Sequence, residues 1–185
     1  IDTNLIFEDE NEPTGMAVIT VNKNGNNSIT VISGSNMTLN KDEIEKSKEI
    51  IENSDILISQ FEVPEEVILE AFKIAKENNK ITILNPAPAK KIDEELLKYT
   101  DIIIPNETEA ELLTGIKVND LESAKLAATG LWEKGVKFVI VTLGSKGAAV
   151  ISKEDGQIVE AYKVKAIDTT AAGDSFIGGL SSKLD

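Results

Sequence analysis

The 185-residue chain contains no histidine, no cysteine and no arginine. Ser-His-Asp and Cys-His catalysis are therefore excluded within it, as is any metal site built on imidazole or thiolate. An arginine finger supplied in cis is excluded too. Acid–base chemistry falls to a carboxylate, a lysine or a tyrosine. Any bound metal is expected to be a hard cation held by oxygen, with Mg²⁺ first. No disulfide framework can form. Aromatic residues make up only 4% of the chain, so the core is expected to be built from Ile, Leu, Val and Ala. No apolar run approaches the ~20 residues of a membrane-spanning helix. Residues 1–10 show neither the basic start nor the apolar stretch of a secretory signal. Together with the missing cysteine, this leads us to expect a cytoplasmic protein.

What is present is acidic. The net charge of −13 argues against nucleic-acid or anionic-membrane partners. A nucleotide substrate remains open, because helix N-termini and a divalent cation can hold phosphates. At 41% hydrophobic and 28% charged, the composition is that of a globular chain with a sizeable core.

The most informative stretch is D-T-T-A-A-G-D-S-F-I-G-G at residues 168–179. An apolar run leads into it, and a helix is expected to start near Gly173 and Asp174. The first backbone N–H groups of a helix lack internal partners and carry partial positive charge. Ala171, Ala172 and Gly173 place almost no side chain in front of them, so an oxyanion or phosphate can approach. Asp174 at the rim is positioned to take a proton from an attacking hydroxyl, as a general base must. Such a carboxylate also has a plainer reading, in which it only offsets the helix dipole.

The rest of the chain alternates. Residues 16–21 and 28–32 are β-rich and flank Asn24-Gly25, which predicts a hairpin. It reads as a small β appendage or as an edge of the main sheet. From residue 40 onward, helices are expected over 40–52, 64–78, 93–98, 106–114 and 121–134. Strands are expected over 55–59, 81–84, 101–104 and 137–142, with an antiparallel pair at 148–152 and 158–164. Continuous β-branched runs between helices imply an α/β fold: a mostly parallel sheet with helices on both faces. Ligands of such sheets bind beyond the carboxyl ends of the strands. Chemistry is therefore expected at 60–62, 85–88, 105–109, 143–147 and 168–174.

Two of these segments have distinct patterns. In P-N-E-T-E-A-E at 105–111, Asn106 and Glu109 have the spacing of a capping box. The same carboxylates and amide could orient a hydrated Mg²⁺ and a triphosphate. In T-L-G-S-K-G at 142–147, the glycines allow backbone approach to a ligand or simply make a tight turn. The order is not that of a Walker A loop.

Taken together, N-P-A-P-A at 85–89, P-N-E-T-E-A-E-L-L-T-G at 105–115, V-T-L-G-S-K-G at 141–147 and D-T-T-A-A-G-D-S-F at 168–176 resemble the ribokinase-like (PfkB) family of carbohydrate kinases. The resemblance implies a three-layer α/β/α fold with a β lid, and transfer of the ATP γ-phosphate to a sugar's primary hydroxyl, with D-ribose the expected sugar. It implies Asp174 as catalytic base and Ala171, Ala172 and Gly173 as an anion hole. Asn106, Thr142 and Gly144 are implied to contact the nucleotide, and Glu109 to place Mg²⁺ through water. Asp168 and Thr170 are implied to hold an activating K⁺, and Glu62 and Met16 to lie near the sugar. Residues 1–36 correspond to part of the lid and its connections, and 37–185 to the central part of the kinase domain. Pairing of two copies through the lid is expected of this family. Family members extend further at both ends, which implies a fragment or truncated product. The rival expectations are another sugar or nucleoside kinase of the same family, or an inactive nucleotide-binding or assembly fragment.

Overall fold

A computed structural model describes residues 3–21 and 27–184. Strand β1 (Met16–Val21) pairs antiparallel with β2 (Asn27–Ile32), with Met16 opposite Ile32. The expected Asn24-Gly25 turn lies outside the described residues. The hairpin forms a two-stranded sheet of its own rather than an edge of the larger one. At its root, Gly34 has φ +51°, and a Cβ there would run into the Pro13 carbonyl, so only glycine fits.

The larger sheet follows the β-branched runs. Its order is β3 (Ile56–Ser59), β4 (Ile81–Leu84), β5 (Ile102–Ile103), β6 (Phe138–Thr142), β7 (Ala148–Ile151) and β8 (Gly156–Val159). The first four strands are parallel and the last two antiparallel. The mostly parallel α/β architecture is thus as expected, with the carboxyl ends of four strands on one edge.

Seven helices accompany the strands among the described residues. They are α1 (Lys41–Lys46), α2 (Lys48–Asn53), α3 (Glu65–Glu77), α4 (Glu94–Lys98), α5 (Glu107–Thr114), α6 (Leu121–Trp132) and α7 (Ala172–Ser181). The single helix expected over 40–52 is broken at Ser47. Its Oγ donates to the Glu43 carbonyl at 2.8 Å, which the Ser47 N–H also reaches at 3.1 Å, a back-bond that bends a helix.

Alternate side chains along the strands go to opposite faces. Leu84, Ile103, Val139, Val141 and Ile151 join Phe72, Leu96, Ala124 and Leu131 in the main core beneath α3 to α6. Ile83, Ile102, Ile104 and Ile140 face the other way and pack with Ile177 of α7, edged by Phe176 and Leu180. Helices α1 and α2 rest on α3 through Ile44, Ile51, Val67 and Ala71.

The last expected strand is shorter than its sequence suggests. β8 ends at Val159, and Tyr162 and Ile167 beyond it are each 94% exposed. No described strand continues the ladder there, so a β-prone sequence has nothing to pair with.

Candidate functional site

The edge at the carboxyl ends of the parallel strands carries the site. Helix α5 begins there directly after β5. Asn106 caps it: its Oδ1 accepts from the Glu109 N–H at 2.8 Å, while Glu109 Oε2 accepts from the Asn106 N–H at 2.8 Å. This is the capping box that the spacing predicted. The cap is also tied to the sheet, because Asn106 bridges Thr142 and the Thr142 N–H donates to the Pro105 carbonyl at 2.9 Å. Burial pushes the Glu109 carboxyl above its usual range, and the bond from the Asn106 N–H offsets part of that. Glu109 Oε1 has no hydrogen-bond partner among the described residues.

After β6 the chain turns through Gly144 to Lys146 in a short 3-10 helix. Gly147, at φ +107°, lies so close to the Val159 carbonyl that any Cβ would collide with it. The tight turn is thus real, and it leaves backbone exposed at the cavity wall.

The start of α7 completes the site. Ala171 is its N-cap, with a left-handed backbone (φ 57°, ψ 19°). For a residue with a Cβ this costs roughly 1–2 kcal/mol, and such strain concentrates where function over-determines the backbone. The Ala172 N–H reaches the Thr169 carbonyl and the Ser175 N–H the Ala171 carbonyl. Among the described residues, the N–H groups of Gly173 and Asp174 have no acceptor. Two adjacent unpaired donors at a helix start are an arrangement suited to an anion. Asp168 Oδ1 accepts from the Thr170 N–H at 2.8 Å, and hydrogen bonds from Thr170, main chain first, hold the Asp168 carboxyl below the usual carboxylate range.

Three cavities meet at this start of α7. The first, of about 790 Å³, is lined by Asn106, Thr142, Gly144, Tyr162 and Phe176 among others. A central one is lined by Gln60, Asn85, Asn106, Glu109, Thr170 and Asp174. The third is lined by Asn36, Gln60, Glu62 and Asp174. Ala172 and Gly173 line both the first and the second, and Asp174 lines both the second and the third. The first cavity thus adjoins the unpaired N–H group of Gly173, and Asp174 stands between the second and the third.

The structure brings Glu62, Asn106, Glu109, Thr142, Gly144, Thr170, Ala171, Ala172, Gly173 and Asp174 to these walls. It does not bring Met16, which is 60% exposed and lines none of them. The hairpin residue that reaches the central cavity is Ile29. Ile29 pairs with Ile19, and the register puts Met16 and Ile32 on the opposite face of the hairpin. Asp168 also lines none of the three cavities and stays in the exposed loop before them.

Two further residues had no role assigned from sequence. Asn85 is 7% exposed and lines the central cavity without a side-chain hydrogen bond among the described residues. Its position just past β4 was the available signal. Gln60 donates from Nε2 to Asp174 Oδ1 at 3.1 Å, a contact between residues too far apart in sequence to leave a local trace.

Among the described residues, no three acidic side chains cluster as a direct metal cage. No described helix is long and apolar enough to cross a membrane.

The model of the pfkB family of carbohydrate kinases matches residues 1–185. A ribokinase from Staphylococcus aureus is 49% identical over 185 residues, an alignment covering 100% of this chain and 61% of that protein. A ribokinase from Haemophilus influenzae is 46% identical, covering 100% and 60%. The chain thus spans about three fifths of the length of these relatives. Among solved structures, the crystal structure of Sa239 superposes with a TM-score of 0.94 at 49% identity, covering 100% of this chain and 61% of that one. Arabidopsis thaliana ribokinase complexed with ribose and ATP superposes with a TM-score of 0.82 at 34% identity, covering 92% and 56%. Sequence and fold agree, and the chain belongs to the pfkB family of carbohydrate kinases.

Proposed function

We propose that this chain carries the phosphoryl-transfer site of an ATP-dependent sugar kinase that converts D-ribose to ribose 5-phosphate. The observation that carries the reading is Asp174 at the junction of two cavities, beside the unpaired N–H groups of α7. Ribokinases at 46–49% identity point to ribose as the sugar.

In this reading the first cavity takes the nucleotide, with Thr142 and Gly144 on its wall. Asn106, Ala171, Ala172 and Gly173 border the phosphates. Glu62 and Asp174 face the sugar. The sugar's primary hydroxyl oxygen forms a bond to the γ-phosphorus as the bond from that phosphorus to the bridging oxygen breaks. ADP leaves with that electron pair, and Asp174 takes the hydroxyl proton. The helix N–H groups stabilise charge on the transferring group without needing to reorganise.

Mg²⁺ fits the donor set as a water-held ion, because Glu109 keeps a free oxygen toward the cavity and few direct ligands are needed. When bound, it would neutralise phosphate charge. A K⁺ site at Asp168 and Thr170 is supported by the loop folding on the Asp168 carboxylate. Pairing of two copies through the hairpin, which the family resemblance implies, is favoured by the exposed Val18, Val31 and Ile32. Use of ATP favours a cytoplasmic setting.

The test is ADP formation with ATP, Mg²⁺ and K⁺, with and without ribose. Ribose-dependent release is expected. Equal release with another pentose or a nucleoside would replace ribose as the substrate. ATP–Mg²⁺ binding by calorimetry without any turnover would favour the reading as a nucleotide-binding module.

A further inference from the structure

The carboxylate that this reading makes the general base has a single side-chain partner among the described residues. Asp174 is exposed at the start of α7 and accepts one hydrogen bond, from Gln60 Nε2 to Oδ1 at 3.1 Å. An ionised carboxylate only accepts, so the amide nitrogen must be the end of Gln60 that faces it. Oδ2 is left without a side-chain partner.

Gln60 is itself held in place. It follows β3, and the residues around it are tied to the strand next door. The Asn85 N–H donates to the Ser59 carbonyl at 2.9 Å, and the Phe61 N–H donates to the Ala87 carbonyl at 2.8 Å. The Phe61 side chain is buried in the main core, and Lys90 Nζ sits 4.2 Å from its ring centre. The amide therefore projects from a backbone anchored on both sides. It lines the same two cavities as Asp174.

We propose that Gln60 is the positioning residue of the phosphoryl-transfer site, holding Asp174 Oδ1 so that Oδ2 faces the hydroxyl to be deprotonated. The inference rests on the reading of Asp174 as base. A freely rotating aspartate would spend much of its time out of reach of the hydroxyl, and small misplacements of a base are expensive in rate. A neutral amide fixes the carboxylate without adding a cation. The other charged groups lining these two cavities are Glu62 after β3 and Glu109 on α5. No lysine lines either cavity among the described residues. Among the described residues, Gln60 is the one side chain that hydrogen-bonds this carboxylate.

The test uses two readouts. In the first, kcat and KM are measured across pH for the wild type, Gln60→Met and Gln60→Glu. Gln60→Met keeps length and loses the donor, and kcat is expected to fall about tenfold, the rate equivalent of one hydrogen bond to a charged acceptor. KM for ribose and ATP should change less than about threefold, since the lost contact acts on the base and not on binding. Gln60→Glu puts a second carboxylate beside the first, which disfavours its ionised form, so the acid limb of kcat should move up by about one pH unit. A purely structural role would leave that limb in place.

In the second readout, the Gln60 side-chain amide resonance is followed by NMR in the wild type and in Asp174→Asn, with no turnover required. Loss of the charged acceptor should move the amide proton upfield. An unmoved amide resonance, an unmoved acid limb in Gln60→Glu, or a rise in ribose KM at constant kcat would each overturn the proposal. If the wild type forms no ADP, the kinase reading falls, and the amide resonance still decides whether Gln60 holds Asp174.

Discussion

The two ends of the sheet each carry an aspartate, and their circumstances are opposite. Asp101, at the amino end of β5, is 6% exposed. It accepts from Lys76 Nζ at 2.7 Å, Lys137 Nζ at 2.8 Å, the Thr82 N–H at 3.0 Å and Thr82 Oγ1 at 3.1 Å. Burial alone would raise its carboxyl, but the bonds from Lys137, Lys76 and Thr82 win and hold it below the usual range. Asp174, at the carboxyl end, is exposed and accepts from Gln60 alone among the side chains of the described residues. A carboxylate saturated with donors resists protonation and serves as a clamp between strands. A carboxylate with a free oxygen beside a cavity can do chemistry. On the proposed reading, the same residue type is structural at one end of the strands and reactive at the other.

The sharpest way to break this contrast is to exchange charge for amide at the reactive end. Asp174→Asn is expected to lower turnover about 10³-fold and to leave the melting temperature and ATP binding near the wild-type values. A variant that kept most of its turnover would remove Asp174 from its role. At the other end, Asp101→Ala should destabilise the fold by about 3 kcal/mol in urea unfolding. Most of that comes from the buried site and from Lys76, because Lys137 remains largely in water.

The pH dependence sharpens the same contrast, because the two shifted carboxyls move stability in opposite senses. The folded value of Asp101 is depressed, so its contribution is present above the ordinary value of 3.8 and is lost as pH falls through the lower folded value. The folded value of Glu109 is raised, so its contribution is present below the ordinary value of 4.5 and is lost as pH rises through the raised one. Urea midpoints measured from neutral to acidic pH should fall at the acid end, and that fall should shrink in Asp101→Ala. Glu109→Gln can still accept from the Asn106 N–H and should keep the fold. Its apparent Mg²⁺ requirement for turnover is expected to rise about tenfold, in the range of outer-sphere metal partners. If the protein melts instead with its Mg²⁺ dependence unchanged, Glu109 is only a cap.

The smallest expected effect comes from the matching cap far from the site. Asn40 and Glu43 form the same reciprocal box at α1. Asn40→Ala should cost about 1 kcal/mol of stability with no change in turnover. Asn106→Ala should show a similar loss of stability together with a loss of turnover.

These paired devices mark how far the sequence could be read. The Asn106–Glu109 box is local, so spacing alone revealed it, and the same holds for the alternation of strands and helices and for the α7 start; the Asn40–Glu43 box came from the structure. Spacing could not say which box faces a cavity. The hairpin was legible from its β-rich runs, but not the face it turns to the site, since Ile29 and Met16 sit on opposite faces of it. The long strand expected up to residue 164 failed because β propensity says nothing about whether a neighbour is there to pair with.

The sequence by itself determined the chemistry available to this protein. With no histidine, cysteine or arginine in this chain, a carboxylate, a lysine or a tyrosine for acid–base work, backbone N–H groups and a hard cation are the tools that remain, and their local signatures span only a few residues. Only the tertiary structure decided which carboxylate is free to act. The bond from Gln60 to Asp174 and the clamp of Asp101 by Thr82, Lys76 and Lys137 join segments distant in the chain. Hydrogen bonds of that kind depend on strand order and side-chain direction, which arise only when the sheet is assembled.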